Sequence, residues 1–184
     1  VKFLNNKLVK QHLVFVTLSD VFRKSWVDWE KGYQSYTENL FNHVLEEFEK
    51  ELKFNIFTQY HFYSQWNELK AYANSKDVKI LGDIPIYVNH NSADVWLNKN
   101  LFELDNNNQM SNVSGAVPDS FTKEGQIWGT TLYDWDSHHE EEYKYWINKL
   151  NFLLEQYDFL RIDHFVGFFK YWAIPKDDKA LNGH

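Results

Sequence analysis

The sequence contains no cysteine among its 184 residues. Disulfides, thiolate metal sites and a cysteine nucleophile are therefore excluded. Glycine and proline are also scarce, with seven and three residues. No apolar run approaches the roughly 18 residues that a membrane-spanning helix needs, so we expect no membrane partner. The first residues lack the charged, apolar and small-residue regions of a secretory signal, and we expect a cytoplasmic protein.

Positive charge is in short supply as well. Lysine and arginine number 19 against 26 acidic residues, which gives a formal net charge of −7 at pH 7. Nucleic-acid binding depends on clustered Lys and Arg, so the composition argues against such a partner and favours an uncharged ligand. Aromatic residues, in contrast, make up 18% of the chain. Their commoner use is in a bulky core, and the alternative is a surface on which sugar rings stack.

The first third of the sequence carries a helical pattern. Residues 37–73 place apolar side chains three and four apart and contain no Gly or Pro, which predicts one long helix or two joined near Lys53. Residues 13–18 fit either a short strand or a helix segment. Ser19 is a candidate N-cap for a short helix that follows it. Residues 26–29 are expected to form a loop or turn.

Two short apolar runs predict strands of a parallel sheet, and the first is typical of a buried strand. They are residues 78–81 and 159–162, and we expect each strand to end next to an aspartate, Asp83 or Asp163. Helical pattern returns at about His139 and precedes the second strand. This alternation predicts an α/β fold with a parallel sheet and crossover helices. In a (β/α)₈ barrel the active site lies at the carboxyl ends of the strands, so both aspartates would meet in one pocket.

Residues 88–136 separate these strands without clear periodicity. The stretch is far longer than an ordinary connection, and such stretches are usually functional or disordered. Its embedded aromatic side chains favour an ordered, functional loop. A complete barrel needs about 250 residues, so this chain cannot close one by itself.

Chemistry is indicated most strongly by residues 161–165. Arg161 stands two positions before Asp163 on a predicted strand, so both side chains point to the same face. The guanidinium favours the ionised carboxylate, which is the form that a glycosidic nucleophile requires. The alternative is a buried structural Arg–Asp pair without chemistry.

Two other segments are candidates for contacts with a carbohydrate, and the second has the composition of a carbohydrate subsite. Asp83, in the run 82–87, is suited to hydrogen-bonding sugar hydroxyls, or else is an ordinary turn residue. The second segment, residues 117–129, mixes rings with hydrogen-bonding side chains, and an alternative is a loop pinned by hydrophobic anchors.

A third pattern, His138-His139 followed by residues 140–142, which are all Glu, superficially suggests a metal site. Neighbouring side chains at a helix start point in different directions. Acidic residues in the first turn of a helix are better explained by the helix dipole, so we expect no metal site.

Several motifs stand together in one order along the chain. They are Gly-Asp-Ile-Pro-Ile-Tyr-Val at 82–88, Ser-Ala-Asp-Val-Trp at 92–96, Pro118-Asp119, Gly125-Gln126, Trp128-Gly129, Leu-Tyr-Asp-Trp at 132–135 and Arg-Ile-Asp-His-Phe at 161–165. This set closely resembles the 4-α-glucanotransferase family, called amylomaltase in bacteria and disproportionating enzyme in plants. The resemblance extends more weakly to Trp26 and to residues 65–73, and it therefore covers most of the chain.

The resemblance implies part of a (β/α)₈ barrel with an inserted helical subdomain and long βα loops. Residues 1–76 would be a mostly helical insertion. Residues 77–184 would supply two barrel strands, the active-site loop and a crossover helix. The chain would thus be an internal piece of the catalytic domain, with the barrel incomplete.

The implied activity is retaining transfer between α-1,4-glucans or maltooligosaccharides, without a metal or organic cofactor. The nucleophile of the family falls on Asp163, with Arg161 and His164 flanking it, and a substrate-contacting aspartate falls on Asp83. A loop over the donor and acceptor sugars carries Asp119, Phe121, Gln126 and Trp128. The general acid/base Glu and a third Asp of the family lie beyond His184, so we expect the 184 residues alone to be inactive.

This sequence departs from the family pattern at three places in the same region. Gly129 is followed by two threonines where Gly-Asn-Pro is usual, Ser120 replaces an aromatic residue, and Val166 replaces an arginine. Two alternative functions are an α-amylase-like glucan hydrolase and a non-catalytic glucan-binding piece. The first would give only glucose and maltose from maltotriose, and the second would give no reaction.

Overall fold

The computed structural model describes residues 2–184 of the chain. Its α-helices are α1 (Lys7–Phe22), α2 (Leu40–Glu47), α3 (Glu49–Ser75), α4 (Ala93–Leu97), α5 (Trp135–Glu140) and α6 (Lys144–Gln156). Its strands are β1 (Leu81–Ile84), β2 (Asn112–Ala116), β3 (Gln126–Ile127), β4 (Phe159–Ile162) and β5 (Trp172–Pro175). Short 3₁₀ turns occur at Lys2–Asn5, Trp26–Asp28, Lys99–Leu101, Phe165–Phe168 and Ala180–Asn182.

These elements form two compact units. The helical unit comprises the chain up to Val78 together with Asn91–Leu97. The sheet unit comprises Lys79–His90 and Asn98–His184. No helix in the described part of the chain has the length and apolar character needed to cross a bilayer.

Helix α1 of the helical unit begins earlier than the sequence suggested. The side chain of Asn6 is its N-cap and accepts a hydrogen bond from the Leu8 amide at 2.9 Å. Residues 13–18 are helical rather than extended. The prediction that Ser19 caps a helix is wrong, because Ser19 lies inside α1, which has its apolar face buried through Leu13, Val14 and Leu18.

Two helices occupy the region where one or two were expected. The junction lies at Phe48, which leaves helical geometry with φ −126° and ψ 45°, and not near Lys53. Packing rather than a Gly or Pro sets this break. Helix α3 turns Leu52 and Asn55 inward, and the Asn55 amide donates to the Thr17 hydroxyl of α1 at 3.1 Å.

An aromatic cluster fills the core of the helical unit. Phe15 lies 5.5 Å from the Trp29 ring and 5.6 Å from the Trp96 ring, measured between centroids. The Trp96 indole is buried and donates to the Tyr33 carbonyl at 2.9 Å. The motif at 92–96 is therefore a packing motif, which is the commoner use of large rings.

Strands β1 and β4 of the sheet unit are parallel, as predicted, and Asp83 is the register partner of Arg161. The prediction of β4 at 159–162 is confirmed. The prediction of β1 at 78–81 is wrong by three residues, so Asp83 lies inside the strand and not after it. Close packing contributes to this placement, since a Cβ atom at Gly82 would come within 2.5 Å of the Tyr157 ring. Only one face of β1 is buried, because Leu81 and Asp83 are exposed.

The stretch 88–136 is not one loop. It contains α4, β2, β3 and the start of α5, and β2 pairs antiparallel with β3 and β5. A small core of Val113, Ile174 and Ala180 packs at this second sheet. Short irregular elements of this kind carry little periodicity, which explains why the pattern resembled a loop.

The helix expected from about His139 begins earlier, at Trp135, and is split in two. The Asp134 carboxylate caps α5 by accepting from the Ser137 amide at 3.0 Å. Residues 140–142 therefore end α5 and lead into α6, so the prediction that they form a first helical turn is wrong. Glu141 nevertheless accepts from the Tyr145 amide at 3.2 Å at the start of α6.

Candidate active site

Asp163 stands directly after β4, at the carboxyl end of a parallel strand. Its amide donates to the Ile84 carbonyl at 3.2 Å, which continues the ladder between β1 and β4 by one residue. The Asp163 side chain keeps 67% of its surface exposed. The carboxylate is thus held on a fixed backbone and open to a ligand.

Arg161 makes its principal contact with Asp83. Its Nε donates to Oδ1 of Asp83 at 3.0 Å and its Nη2 to Oδ2 at 2.9 Å, a bidentate ion pair across the two strands. The distance from Nη2 to Oδ1 of Asp163 is longer, at 3.7 Å. The expectation of Asp163 as the main partner of Arg161 is therefore corrected. Within these 184 residues the pair is not buried, because Arg161 and Asp83 are 61% and 56% exposed.

The next residue, His164, adopts a left-handed backbone conformation. Its φ and ψ are 48° and 45°, which a non-glycine residue holds only when its surroundings enforce it. The His164 ring meets the Trp128 ring edge to face, with centroids 4.8 Å apart and planes at 88°. The turn after β4 thereby brings Trp128 next to the residue that follows Asp163.

Gln126 and Trp128 are also joined to each other. The Trp128 indole nitrogen donates to Oε1 of Gln126 at 3.0 Å, and the Trp128 amide donates to the Ser114 carbonyl at 2.9 Å. Strand β2 thus fixes the backbone, and the Gln126 amide fixes the tilt of the indole. The Trp128 side chain remains partly exposed, so its ring is accessible to a ligand.

Asp119 and Phe121 lie in the loop between β2 and β3. One Asp119 oxygen accepts from the amides of Phe121 and Thr122, at 2.8 and 2.6 Å, so this carboxylate shapes its own loop. The Phe121 ring is 95% exposed and projects from that loop. Of the eight predicted site residues, six form two connected groups beside the end of β4. The other two, Asp119 and Phe121, lie in a separate loop. The two groups are Asp83, Arg161 and Asp163, and Gln126, Trp128 and His164.

Tyr87 contacts two of the predicted site residues, although it was not itself predicted as one. Its ring centroid lies 5.8 Å from that of His164 and 6.0 Å from that of Trp128, and its side chain is buried. Burial raises the pKa of Tyr87 to about 12, so the hydroxyl stays neutral. The available signal was its place in the motif at 82–88, three residues after β1. Within residues 2–184 no group of three His, Asp or Glu side chains is arranged to hold a metal ion.

A family model described as 4-alpha-glucanotransferase matches residues 2–184. The chain belongs to the 4-alpha-glucanotransferase family. The resemblance inferred from the sequence motifs is thereby confirmed.

Individual members of the 4-alpha-glucanotransferase family are similar across nearly the whole chain. The 4-alpha-glucanotransferase of Aquifex aeolicus (strain VF5) is 35% identical over 176 residues, covering 95% of this chain and 36% of that protein. The 4-alpha-glucanotransferase of Clostridium butyricum is 39% identical over 191 aligned positions, covering 99% of this chain and 38% of that protein.

A solved structure supports the same assignment. Amylomaltase from Streptococcus agalactiae, in complex with acarbose, superposes with a TM-score of 0.87 at 34% identity, covering 99% of this chain and 40% of that chain. The predicted α/β architecture is therefore confirmed as one shared with amylomaltase. The chain spans between 36% and 40% of the length of these three relatives.

Proposed function

We propose that this chain carries the nucleophile of a retaining 4-α-glucanotransferase, and that the nucleophile is Asp163. The observation that carries the proposal is the exposed Asp163 carboxylate at the end of β4, with the Arg161 guanidinium 3.7 Å away. Relatives named 4-alpha-glucanotransferase support this choice of reaction over glucan hydrolysis or simple binding. The substrates are α-1,4-glucans or maltooligosaccharides, and the expected location is the cytoplasm.

In this proposal β1 and β4 are neighbouring strands of a (β/α)₈ barrel. Their parallel pairing, with Asp163 at the carboxyl end, supports that view, since barrel active sites lie at that end. Residues 1–76 form the helical insertion, and residues 77–184 supply the two strands, the active-site loop and the crossover helix. The remaining strands lie in the part of the relatives that this chain does not span.

The first chemical step is glycosylation of Asp163. One oxygen of Asp163 attacks the anomeric carbon of the donor, and the glycosidic C–O bond breaks. The leaving oxygen takes its proton from a carboxylic acid that the family resemblance places beyond His184. Retaining enzymes hold two such carboxyl groups about 5–5.5 Å apart. A covalent glucosyl ester on Asp163 is the product.

The second step regenerates the carboxylate. The 4-hydroxyl of an acceptor glucan attacks the same carbon, the ester bond breaks, and the former acid takes the hydroxyl proton. Water is the competing nucleophile. We assign its exclusion to the partly exposed Trp128 ring, held by Gln126 and His164. This double displacement needs no metal or organic cofactor.

Asp83 is assigned two tasks in this scheme. Its bidentate pair with Arg161 keeps the guanidinium beside Asp163. A carboxylate has about four acceptor positions, and the pair with Arg161 uses two, so the other two can accept sugar hydroxyls. Phe121 and Asp119 supply the loop over the donor and acceptor sugars, with the exposed Phe121 ring as its contact surface.

The test is product analysis on maltotriose with a full-length family chain carrying these 184 residues. Longer oligomers are the expected products, and glucose and maltose alone would indicate a hydrolase instead. Asp163→Asn should abolish both products, while Asp136→Asn, at an exposed position on α5, should leave them unchanged. Activity retained in Asp163→Asn would refute the proposal. The 184 residues alone should be inactive.

A further inference from the structure

We propose that Tyr87 is a positioning residue that holds the His164 and Trp128 rings beside Asp163 and thereby sets how the glucosyl enzyme divides between acceptor sugar and water. This inference rests on the proposed function. Tyr87 touches neither reacting atom in this scheme, and it acts only through the two rings that it supports.

The Tyr87 ring lies against three other rings. Beyond His164 and Trp128, it stacks on Tyr133 with centroids 6.3 Å apart and planes at 23°. Tyr133 is itself fully buried and donates its hydroxyl to the Ile86 carbonyl at 2.6 Å. One side of Tyr87 is thus anchored in the core, and the ring also contacts His164, the residue after Asp163, and Trp128.

The Tyr87 hydroxyl packs against the turn that follows Asp163. A Cβ atom built on Gly167 would come within 3.0 Å of this hydroxyl oxygen, 2.9 Å of Ile86 Cδ1 and 3.2 Å of His164 Cδ2. A side chain at 167 would therefore press on the Tyr87 hydroxyl, on the end of Ile86 and on the His164 ring. The hydroxyl is buried and has no hydrogen-bond partner among residues 2–184, so its contribution to the packing is volume.

These contacts link Tyr87 to the candidate active site. The His164 ring lies 5.8 Å from the Tyr87 ring, so its position depends on that packing. The His164 ring in turn meets Trp128 at 4.8 Å, and Tyr87 also contacts Trp128 directly. Loss of the Tyr87 ring should therefore let both rings move while the Asp163 backbone stays on β4. Attack by a bulky acceptor should suffer more than attack by water.

The first experiment compares Tyr87→Leu with Tyr87→Phe in the full-length family chain. Tyr87→Leu should raise the hydrolysis-to-transfer ratio about tenfold, since a misplacement of about 1 Å can cost about 10²-fold in a geometry-dependent step. Tyr87→Phe keeps the ring and should stay near the parent ratio. Phe102→Leu is the matched control, because Phe102 is a buried ring that packs on Tyr133 at 5.0 Å. It should lower stability without moving the ratio.

The second experiment changes the same contact by adding a methyl group at Gly167, so no large side chain is removed. Gly167→Ala alone should raise the ratio, because its Cβ would come within 3.0 Å of the Tyr87 hydroxyl and 3.2 Å of His164 Cδ2. The contact with Ile86 Cδ1, at 2.9 Å, is at the end of a flexible side chain and can be relieved there. The double variant Gly167→Ala with Tyr87→Phe removes that oxygen and should return the ratio toward the parent value. Non-additivity of this kind would show that Gly167→Ala changes the hydrolysis-to-transfer ratio through its contact with Tyr87.

The outcomes separate this inference from the proposed function. A parent enzyme that forms no covalent intermediate and no longer oligomers overturns the proposed function. A parent that transfers normally, with an unchanged ratio in folded Tyr87→Leu, overturns only the role of Tyr87. If Tyr87→Leu does not fold, the comparison of Gly167→Ala with the double variant decides. Additive effects of the two substitutions on the hydrolysis-to-transfer ratio would contradict the inference.

Discussion

Trp96 in the helical unit and Trp128 in the sheet unit are both tryptophans, but their environments are opposite. Trp96 is 1% exposed and Trp128 is 37% exposed. The indole nitrogen of Trp96 donates to a backbone carbonyl, whereas that of Trp128 donates to the Gln126 side chain. The first arrangement fixes a core, and the second holds a ring where a ligand can still reach it. A surplus of aromatic residues in a sequence therefore says little until burial divides core from surface.

The largest expected effect belongs to the buried member of this pair. Trp96→Ala should lower the free energy of unfolding by about 3–5 kcal/mol, since it removes a large buried ring and leaves a cavity. Chemical denaturation of the full-length family chain measures this loss. Phe121→Ala, which removes a ring that is 95% exposed, should change stability by less than about 0.5 kcal/mol. Similar losses in both variants would break the comparison.

A second prediction concerns charge beside the nucleophile. Arg161→Ala should lower kcat/KM by about 10²–10³-fold, the usual cost of removing one preorganised electrostatic contact. It also leaves Asp83 and Asp163 as two neighbouring anions. Arg161→Lys keeps the charge but loses the bidentate fork, so its loss should be smaller. An Arg161→Ala enzyme with parental kcat/KM would remove Arg161 from the account.

A third prediction concerns the exposed member. Trp128→Ala should raise the hydrolysis-to-transfer ratio on maltotriose about tenfold, close to 1.4 kcal/mol in relative barrier height, because water then competes better with the acceptor. Phe121→Ala should instead raise KM for the glucan. An unmoved ratio in Trp128→Ala would mean that another part of the site excludes water.

The smallest expected effect is a pH dependence from His138. His138 is fully buried among rings, and burial lowers its pKa from the ordinary value, with Glu141 and Asp134 opposing this effect. The folded state therefore resists protonation. Stability is present above about pH 6.5 and is lost as pH falls below it, by at most about 1.4 kcal/mol per pH unit.

Urea unfolding between pH 5 and 8 provides the measurement for His138. His138→Phe should flatten the fall in stability on the acid side. His139→Phe, at the exposed neighbouring position, is the matched control and should keep the parental slope. Equal slopes in the parent and in His138→Phe would show that other groups cause the acid sensitivity.

The sequence predicted β4 and Asp163 because a short apolar run next to an Arg and an Asp is a local pattern. Strand β1 was misplaced by three residues because its limits are those of its pairing with β4, from Leu81 opposite Phe159 to Ile84 opposite Ile162. Helix α1 was not predicted as a whole. Its start is the Asn6 cap, which has no strong apolar periodicity after it to identify it.

The ion pair at the site depends on tertiary structure in the same way. Asp83 and Arg161 are 78 residues apart, and only the register of β1 against β4 makes them partners. Local spacing pointed to Asp163 instead, since it follows Arg161 by two residues. The packing of Tyr87 on His164 and Trp128 likewise joins three distant segments, so no single motif could reveal it.

The account depends most directly on the covalent step at Asp163. A full-length family chain carrying these residues can be incubated with a fluorinated glucosyl donor that slows release from the enzyme, then digested and mapped by mass spectrometry. The account predicts one added glycosyl group, located on Asp163 and missing from Asp163→Asn. A label on a different carboxylate, or labelling that persists in Asp163→Asn, would contradict it.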